Sequence, residues 1–415
     1  MRDLRRHQTA AYFVAFIALG LAIASLGPTL PGLAAQVHRN DADISYLFVL
    51  RAFGFFVGSL LSGRFYDRMS GHGVMAAMII SMSVTLALMP VAGTLGVLLS
   101  VMLLLGIAEG ALGVGGNALL VWVHQSRVAP FMNALHFCYG VGAFVSPLVI
   151  HLALKISDTT TAAYLTLAVL VLPSAFWLLV LPSPQNPSPH IKANSDGSQP
   201  ARDAGASSGS GHDSSSVTRV NYKVVALIAL LLGLYTGAEV SYGSWIYSYV
   251  LKMNIGGDDV AAYLTSAFWG SLTVGRLLGV PLAAKFKPGK LLLADLFGCF
   301  ASLAIALVWS SSATAITVAS IGAGLSMASI YPMALSLAER RSRITGQVTG
   351  FLLLGGSVGV MVVPFLIGQM FDKTGPRVMM FIILFDLIGA LAVYLIIAAG
   401  STAEYRPRPA AQQEV

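Results

Sequence analysis

Four carboxylates lie inside long apolar stretches of the sequence: Glu109, Glu239, Asp295 and Asp386. A charge near the middle of a membrane helix costs about 2.5–3.5 kcal/mol on insertion scales, so an acid at such a position usually has a task. Such a carboxylate can accept hydrogen bonds from a polar solute, pair with a basic side chain, or carry a cation or a proton. Asp295 is interpreted as a structural partner of Lys285 or Lys290, and no role is assigned to Asp386.

Glu239 has neighbours that suit a site for a polyhydroxylated ring. It lies between Gly237 and Gly243, which let the backbone bend or approach a solute closely. Tyr242 shares its helix face three residues on, and Trp245 follows one turn later. A carboxylate accepts hydrogen bonds from hydroxyls, while an aromatic ring covers the apolar C–H face of a sugar. The pattern predicts a hexose-sized site; the alternative is that Glu239 pairs with an Arg or His and stabilises a helix bundle.

Glu109 is the second candidate because it lies in a glycine-rich run with Asn117 eight residues later. That spacing places both side chains on one helix face, two turns apart, and the glycines allow close packing against a neighbouring helix. An unpaired Glu109 is a candidate carrier of a cation or a proton, and we expect entry of the coupling cation to neutralise either Glu109 or Glu239. The alternative is that Glu109 only pairs with Arg51.

Three further side chains can both donate and accept hydrogen bonds, as recognition of hydroxyls requires. Asn133 and His136 are three residues apart in one apolar run, and Gln347 enters a later run at a comparable depth. His136 fits a structural role equally well. Trp269 is either a wall of the pocket or ordinary packing.

The composition identifies the elements that must position these residues. Of the 415 residues 56% are apolar and 10% are charged, against roughly 25% charged in an ordinary soluble domain, which excludes a conventional soluble enzyme. A helix needs about 20 apolar residues to span a membrane. The sequence predicts twelve such spans, at residues 10–33, 44–64, 73–93, 95–122, 130–153, 160–181, 222–250, 260–284, 289–310, 313–338, 345–370 and 376–399.

The spans fall into two groups of six. Residues 1–181 form a predicted N-terminal half and residues 219–400 a C-terminal half, followed by a tail at 401–415. Residues 182–218 are rich in Ser, Gly, Pro and Asp and predict a flexible linker. Weak internal matches, such as Gly-x4-Pro in spans five and eleven, indicate that the halves are related repeats.

The basic residues predict the orientation of the spans. With both termini inside, the inner segments hold eighteen Lys and Arg, the outer segments hold five, and Arg51 and Arg276 lie within spans. We therefore expect an integral protein of the cell (inner) membrane with both termini in the cytoplasm. The formal charge of +7 is explained by topology, so nucleic acid is not expected as a partner.

The loop between spans two and three carries the strongest short motif. It reads Gly63-Arg64-Phe65-Tyr66-Asp67-Arg68 and resembles the Gly-x-x-x-Asp-Arg loop of the major facilitator superfamily. The resemblance implies an all-α membrane protein with twelve transmembrane helices in two pseudo-symmetric halves. It also implies that Asp67 and Arg68 latch the cytoplasmic side through charge-assisted contacts, and we expect Arg276 to join them as a gating residue.

Three segments resemble one group of that superfamily more particularly. They are Ala129 to Pro147, Gly237 to Ile246, and Gly275 to Ala283, and they are similar to the sodium-dependent glucose transporters, relatives of the fucose permeases. The resemblance implies cation-coupled uptake of a sugar. The chain departs from the group at Gly113, four residues before Asn117, where the relatives usually have an acid.

Three functions compete on the sequence. The first is a symporter for a sugar, and the second is a cation-driven exporter of drugs or other small organic solutes. The exporter signature has Gly before the proline of span five, where this chain has Ser146. The third is a non-transporting membrane sensor. No enzymatic motif and no cofactor are expected beyond a coupling ion, for which sodium and protons both fit, and the expected state is a monomer in the bilayer.

Overall fold

The computed structural model describes residues 2–157, 159–185, 221–342 and 346–400. These residues form an all-helical protein. Its α-helices, in chain order, are α1 (Arg2–Ile23), α2 (Leu26–Gln36), α3 (Asp41–Ile44), α4 (Tyr46–Arg68), α5 (Gly71–Leu88), α6 (Leu95–His124), α7 (Ala129–Ser157), α8 (Thr160–Val180), α9 (Tyr222–Lys252), α10 (Asp258–Lys285), α11 (Pro288–Val308), α12 (Ala313–Met327), α13 (Ile330–Arg341), α14 (Gly346–Thr374) and α15 (Val378–Ala399). Residues 186–218 of the predicted linker and the predicted tail, 401–415, lie outside the described residues.

Twelve segments of the described chain are long and apolar enough to cross a membrane, which confirms the predicted number of spans. Their most apolar windows have mean hydropathies from 1.2 to 2.7. Helices form there because lipid offers no hydrogen-bonding partner, so every backbone amide and carbonyl must be satisfied within the segment. Several helices start at a capping side chain that accepts from the amide three residues on, as Thr94, Asn221 and Ser312 do.

The helices pack as two groups, α1–α8 and α9–α15. Within the groups, α4 lies against α6, α1 against α7, α9 against α14, and α10 against α12. Between the groups, α7 lies against α10 and α4 against α14. We call the end of the bundle with Arg2, Arg68 and Lys285 the terminal face, and the end with Gln36 and Lys252 the distal face.

Two glycine contacts bring helix backbones together around the centre of the bundle. A Cβ on Gly106 of α6 would lie 2.1 Å from the carbonyl oxygen of Arg51 on α4. A Cβ on Gly359 of α14 would lie 1.8 Å from the carbonyl oxygen of Gly233 on α9. Both distances are far below van der Waals contact, so any side chain at either position would force the helices apart.

Two spans that the hydropathy predicts as continuous are broken. Span one stops at Ile23 and resumes at Leu26, and span ten stops at Met327 and resumes at Ile330. A proline follows each break, Pro28 in span one and Pro332 in span ten. Because proline has no amide hydrogen, the carbonyl four residues earlier, that of Ala24 or of Ala328, has no helical hydrogen-bond donor.

Candidate functional site

A buried ion pair joins α4 to α6 in the first half. Arg51 binds Glu109 through two contacts, Nε to Oε2 at 2.9 Å and Nη2 to Oε1 at 2.6 Å. The same guanidinium donates to the carbonyl oxygens of Ala22 and Ile23 at 2.8 and 3.1 Å, at the broken end of α1. The Glu109 side chain is 1% exposed. Of the two roles predicted for Glu109, the structure shows the pairing with Arg51. A role of Glu109 in cation coupling stays a prediction.

A second ion pair lies in the other half. Arg276 on α10 donates to Glu239 on α9 at 3.2 Å, Nη2 to Oε1. The hydroxyl of Tyr235 contacts the other oxygen of Glu239 and also lies 2.8 Å from the carbonyl oxygen of Met327. Because a phenol carries one proton, Tyr235 donates fully to only one of these oxygens at a time.

This pairing changes the interpretation of Arg276. Arg276 is predicted to act with Asp67 and Arg68 as a cytoplasmic gate, but its side chain is bound to Glu239 inside the bundle. The sequence placed Arg276 in a span, but the identity of its partner depends on how α9 and α10 pack. Glu239 accordingly has a basic partner, which agrees with the alternative prediction that it pairs with an Arg or His.

A cavity of about 250 Å³ lies between the two groups of helices. It is bounded by residues of α1, α2, α4, α6 and α7 on one side and of α9, α10, α13 and α14 on the other. Aliphatic and aromatic groups make up most of the wall. Its polar or aromatic lining residues are Phe48, Arg51, Phe55, Glu109, Tyr139, Thr236, Ser244, Trp269, Tyr331 and Ser357. Such a wall presents hydroxyls, aromatic faces and one neutralised ion pair to a bound solute.

Of the predicted site residues, Glu109 and Trp269 line this cavity. Tyr242 and Trp245 instead pack between helices and are fully buried, the ring of Trp245 lying against Phe48 of the first half and Phe371 of the second. The hydroxyl of Tyr242 lies 3.0 Å from that of Ser320, and the indole nitrogen of Trp245 donates to the carbonyl of Pro364 at 3.1 Å. Residues i+3 and i+6 from Glu239 therefore point into helix packing, because the cavity faces the side of α9 that carries Val240 and Ser244.

The remaining predicted residues lie apart from the lining. The Asn117 amide donates to the Gly113 carbonyl of its own helix at 2.8 Å. Asn133 and His136 are exposed on the terminal-face part of α7, and Gln347 is exposed at the start of α14. The structure does not bring them into the cavity lining, so contact with a substrate there stays a prediction.

Several lining residues are not predicted from the sequence, namely Tyr139, Thr236, Ser244, Tyr331 and Ser357. One signal was available for Ser357, because it follows two consecutive glycines in span eleven and glycines in a membrane helix indicate close approach. The others are ordinary polar residues of apolar helices, and only the packing shows which of them face inward.

The distal face is closed by a charged cluster that joins the two groups of helices. Lys252 lies 2.9 Å from a carboxylate oxygen of Asp41 and 3.0 Å from one of Asp372. The backbone amide of Asp41 donates to Asp372 at 3.0 Å, and Gln369 donates to the carbonyl of Ala42 at 2.8 Å. We call Lys252, Asp41 and Asp372 the distal triad. A further contact, between His151 Nε2 and Asp259 Oδ1 at 2.6 Å, joins α7 to α10 on the same face.

The distal triad is expected to restrain opening of the distal face. Replacing Lys252 with methionine leaves Asp41, 9% exposed, facing Asp372 without a counter-charge. Partly exposed ion pairs contribute about 0.2–1 kcal/mol each, so we expect a several-fold increase in the population open at this face. The measurement is the rate at which an impermeant maleimide labels Ala42→Cys, with Cys138 and Cys299 replaced by alanine.

The control for this prediction is Lys373→Met, which removes an exposed charge from the distal end of α14, next to Asp372. Labelling in that variant should match the parent protein. An unchanged rate in Lys252→Met would show that the distal triad does not hold the face closed.

Comparison with known proteins agrees with this architecture. The family model described as Major Facilitator Superfamily matches residues 12–364, most of the chain. The chain belongs to the Major Facilitator Superfamily. It is therefore an integral, multi-pass membrane protein of a transporter family, and the predicted twelve-span fold is confirmed.

Relatives and solved structures within the superfamily are similar over nearly the whole chain. Sodium-dependent glucose transporter 1A of Mus musculus is 28% identical over 388 residues, which cover 86% of this chain and 88% of the relative. Major facilitator superfamily domain-containing protein 4A of Homo sapiens is 28% identical over 453 residues, covering 90% and 88%. The crystal structure of a bacterial homologue of the human lysosomal transporter Spinster, inward-facing and occupied, has a TM-score of 0.75 at 12% identity, covering 96% of this chain and 98% of that one.

Proposed function

We propose that this superfamily member is a cation-coupled symporter that carries a hexose-like sugar by alternating access. The observation that carries the proposal is the cavity of about 250 Å³ between two helix groups that are joined at the distal face. A solute enclosed there is in contact with both halves, so a rocking motion of one half against the other would change the side from which it is reached.

The size and lining of the cavity support a small polyhydroxylated solute. Drug-sized ligands usually occupy pockets of about 300–1,000 Å³. This cavity is smaller, and it offers hydroxyl groups from Thr236, Ser244 and Ser357 beside the aromatic faces of Trp269 and Tyr331. Hydroxyl groups can hydrogen-bond to a sugar, and aromatic rings can cover its C–H face. A cation-driven exporter of amphiphiles would require a larger cavity than this one.

The relatives support the same substrate class. Sodium-dependent glucose transporters from several vertebrates are 28–29% identical to this chain. We propose by the count of basic residues that the terminal face is cytoplasmic, that the distal triad faces the outside, and that the sugar enters the cell. The coupling ion and the sugar itself are the parts of the proposal that an assay must establish.

Uptake of labelled glucose and other hexoses into proteoliposomes tests the proposal. A sodium gradient, a proton gradient and no gradient are imposed in parallel, and we expect accumulation of a hexose above equilibrium with a cation gradient only. Liposomes without protein are the control. If folded protein moves no hexose under any gradient, the sugar symporter is wrong and the exporter becomes the better explanation.

A further inference from the structure

The break in span ten lies beside a carboxylate of the neighbouring helix. Asp295, on the face of α11 that carries the buried Leu292 and Cys299, accepts a hydrogen bond from the hydroxyl of Ser329. Ser329 is one of the two residues that separate α12 from α13. The carbonyl of Met327, the last residue of α12, accepts a hydrogen bond from Tyr235 of another helix. A carboxylate and a hydroxyl therefore meet at the break, two residues after the carbonyl end of the half-helix α12.

Asp295 differs from Glu109 and Glu239 in having no positive partner. Glu109 is paired with Arg51 and Glu239 with Arg276, whereas no basic group of the described residues lies within 4.0 Å of the Asp295 carboxylate. The predicted pairing of Asp295 with Lys285 or Lys290 is thus wrong, because its carboxylate is bound to Ser329 in the break between α12 and α13. A carboxylate without a counter-charge in a membrane span is costly unless a cation or a proton neutralises it.

The first half shows how an equivalent arrangement is neutralised. There, too, a span is broken, and the carbonyls of Ala22 and Ile23 at the end of α1 lie beside a carboxylate, Glu109. The positive charge between them belongs to the guanidinium of Arg51. The second half also has a broken helix end and a carboxylate beside it, Asp295, but the arginine of that region, Arg276, is paired with Glu239 and not with Asp295.

The oxygen atoms around the break suit an alkali cation. The C-terminal end of α12 carries the partial negative charge of its last carbonyls. Unwound carbonyls and half-helix C-termini are the groups that coordinate sodium in other discontinuous transporter helices. Ser326, one turn before Ser329, places a second hydroxyl beside α11, because its Oγ lies 2.3 Å from the position a Cβ would take on Gly298. Gly298 is three residues after Asp295, on the same helix face.

We propose that Asp295, Ser329 and the carbonyl end of α12 form the binding site of the coupling cation, and that this cation is sodium. The inference rests on the proposed function, since it supplies the ion site of that symporter. A proton would need only the carboxylate, whereas the hydroxyls and the helix end add the oxygen ligands that a metal cation requires. Asp386 provides the contrast: it is also an acid in a span, but its Oδ2 atom has no hydrogen-bond partner among the described residues.

Tyr235 links this site to the cavity. Its hydroxyl is shared between the Met327 carbonyl at the broken helix end and the Glu239 carboxylate, which is paired with Arg276. A sodium ion that binds the carbonyl of Met327 displaces the hydrogen bond from Tyr235, and the Tyr235 hydroxyl then donates to Glu239 alone. That shift weakens the hold of Glu239 on Arg276, and so transmits occupancy of the cation site to the helices that line the substrate cavity.

Thermal unfolding of the full-length protein in detergent tests the inference without reference to uptake. Sodium chloride is compared with choline chloride at constant ionic strength. A ligand that binds only the folded state raises Tm with its concentration, so wild-type protein should be stabilised by sodium. We expect Asp295→Asn to require at least tenfold more sodium for the same shift, and Ser329→Ala to require several-fold more. Asp386→Asn, the matched control, should respond as wild type does.

The outcomes separate this inference from the proposed function. A wild-type sodium response in Asp295→Asn overturns the site, as does a wild-type protein that sodium does not stabilise. If sodium stabilises the wild type and not Asp295→Asn, the site stands. If the same wild-type preparation then fails to accumulate any hexose with a sodium gradient, it is the sugar symporter that is wrong and not the cation site.

Discussion

Replacing Arg51 with alanine is expected to destabilise the protein more than any other single change to its charged residues. The guanidinium neutralises Glu109, whose side chain is 1% exposed, and satisfies two carbonyls at the broken end of α1. Removing one partner of a buried ion pair costs about 3–5 kcal/mol, because the other charge stays buried without compensation. We expect a large fall in Tm and loss of uptake, measured on purified protein and in proteoliposomes respectively.

Two variants isolate the cause of that loss. Arg39→Ala removes an arginine whose side chain is 54% exposed and whose pair with Asp43 spans 3.6 Å, so its Tm should match wild type. The double variant Arg51→Gln with Glu109→Gln removes both charges, and we expect it to recover part of the stability that Arg51→Ala loses. Equal destabilisation by Arg39→Ala and Arg51→Ala would show that the buried pair has no special importance.

The sequence predicted the spans well because their signal is local. A run of about twenty apolar residues has few alternatives to a membrane helix, and all twelve predicted segments contain helices of the structure. The breaks in spans one and ten were missed although Pro28 and Pro332 mark them. Mean hydropathy is insensitive to a single proline, and many membrane helices tolerate one. The break therefore also depends on partners such as Arg51, which binds the last carbonyls of α1, those of Ala22 and Ile23.

The candidate site was less predictable because it depends on which helices touch. Glu109 and its partner Arg51 are 58 residues apart, and Glu239 and its partner Arg276 are 37 apart. The sequence identified the acids as unusual but could not determine whether a basic side chain reached them. Tyr242 and Trp245 illustrate the same limit, since spacing from Glu239 placed them near the site and rotation of α9 within the bundle placed them in the core.

Replacing Glu239 with glutamine is expected to abolish concentrative uptake with a smaller effect on folding than Arg51→Ala. The Glu239 and Arg276 side chains are 11% and 29% exposed, so water can partly solvate Arg276 when its partner is lost. The connection from the broken helix end through Tyr235 and Glu239 to Arg276, which we call the coupling route, is nevertheless lost. A neutral amide does not neutralise Arg276, and it accepts the hydrogen bond from Tyr235 more weakly than a carboxylate does. We expect gradient-driven accumulation of sugar to fall at least tenfold while equilibration of sugar without a gradient persists.

The persistence of equilibration distinguishes a coupling residue from a structural one. If Glu239 only held α9 to α10, its loss would reduce accumulation and equilibration together and lower Tm to match. Tyr235→Phe keeps the ion pair between Glu239 and Arg276 but removes the hydroxyl that Glu239 shares with Met327. We therefore expect it to reduce accumulation although Arg276 stays paired. Glu339→Gln, an exposed acid on α13, is the control and should transport as wild type does. Wild-type accumulation in Glu239→Gln would remove Glu239 from the coupling route and leave the cation site at Asp295 without its connection to the cavity.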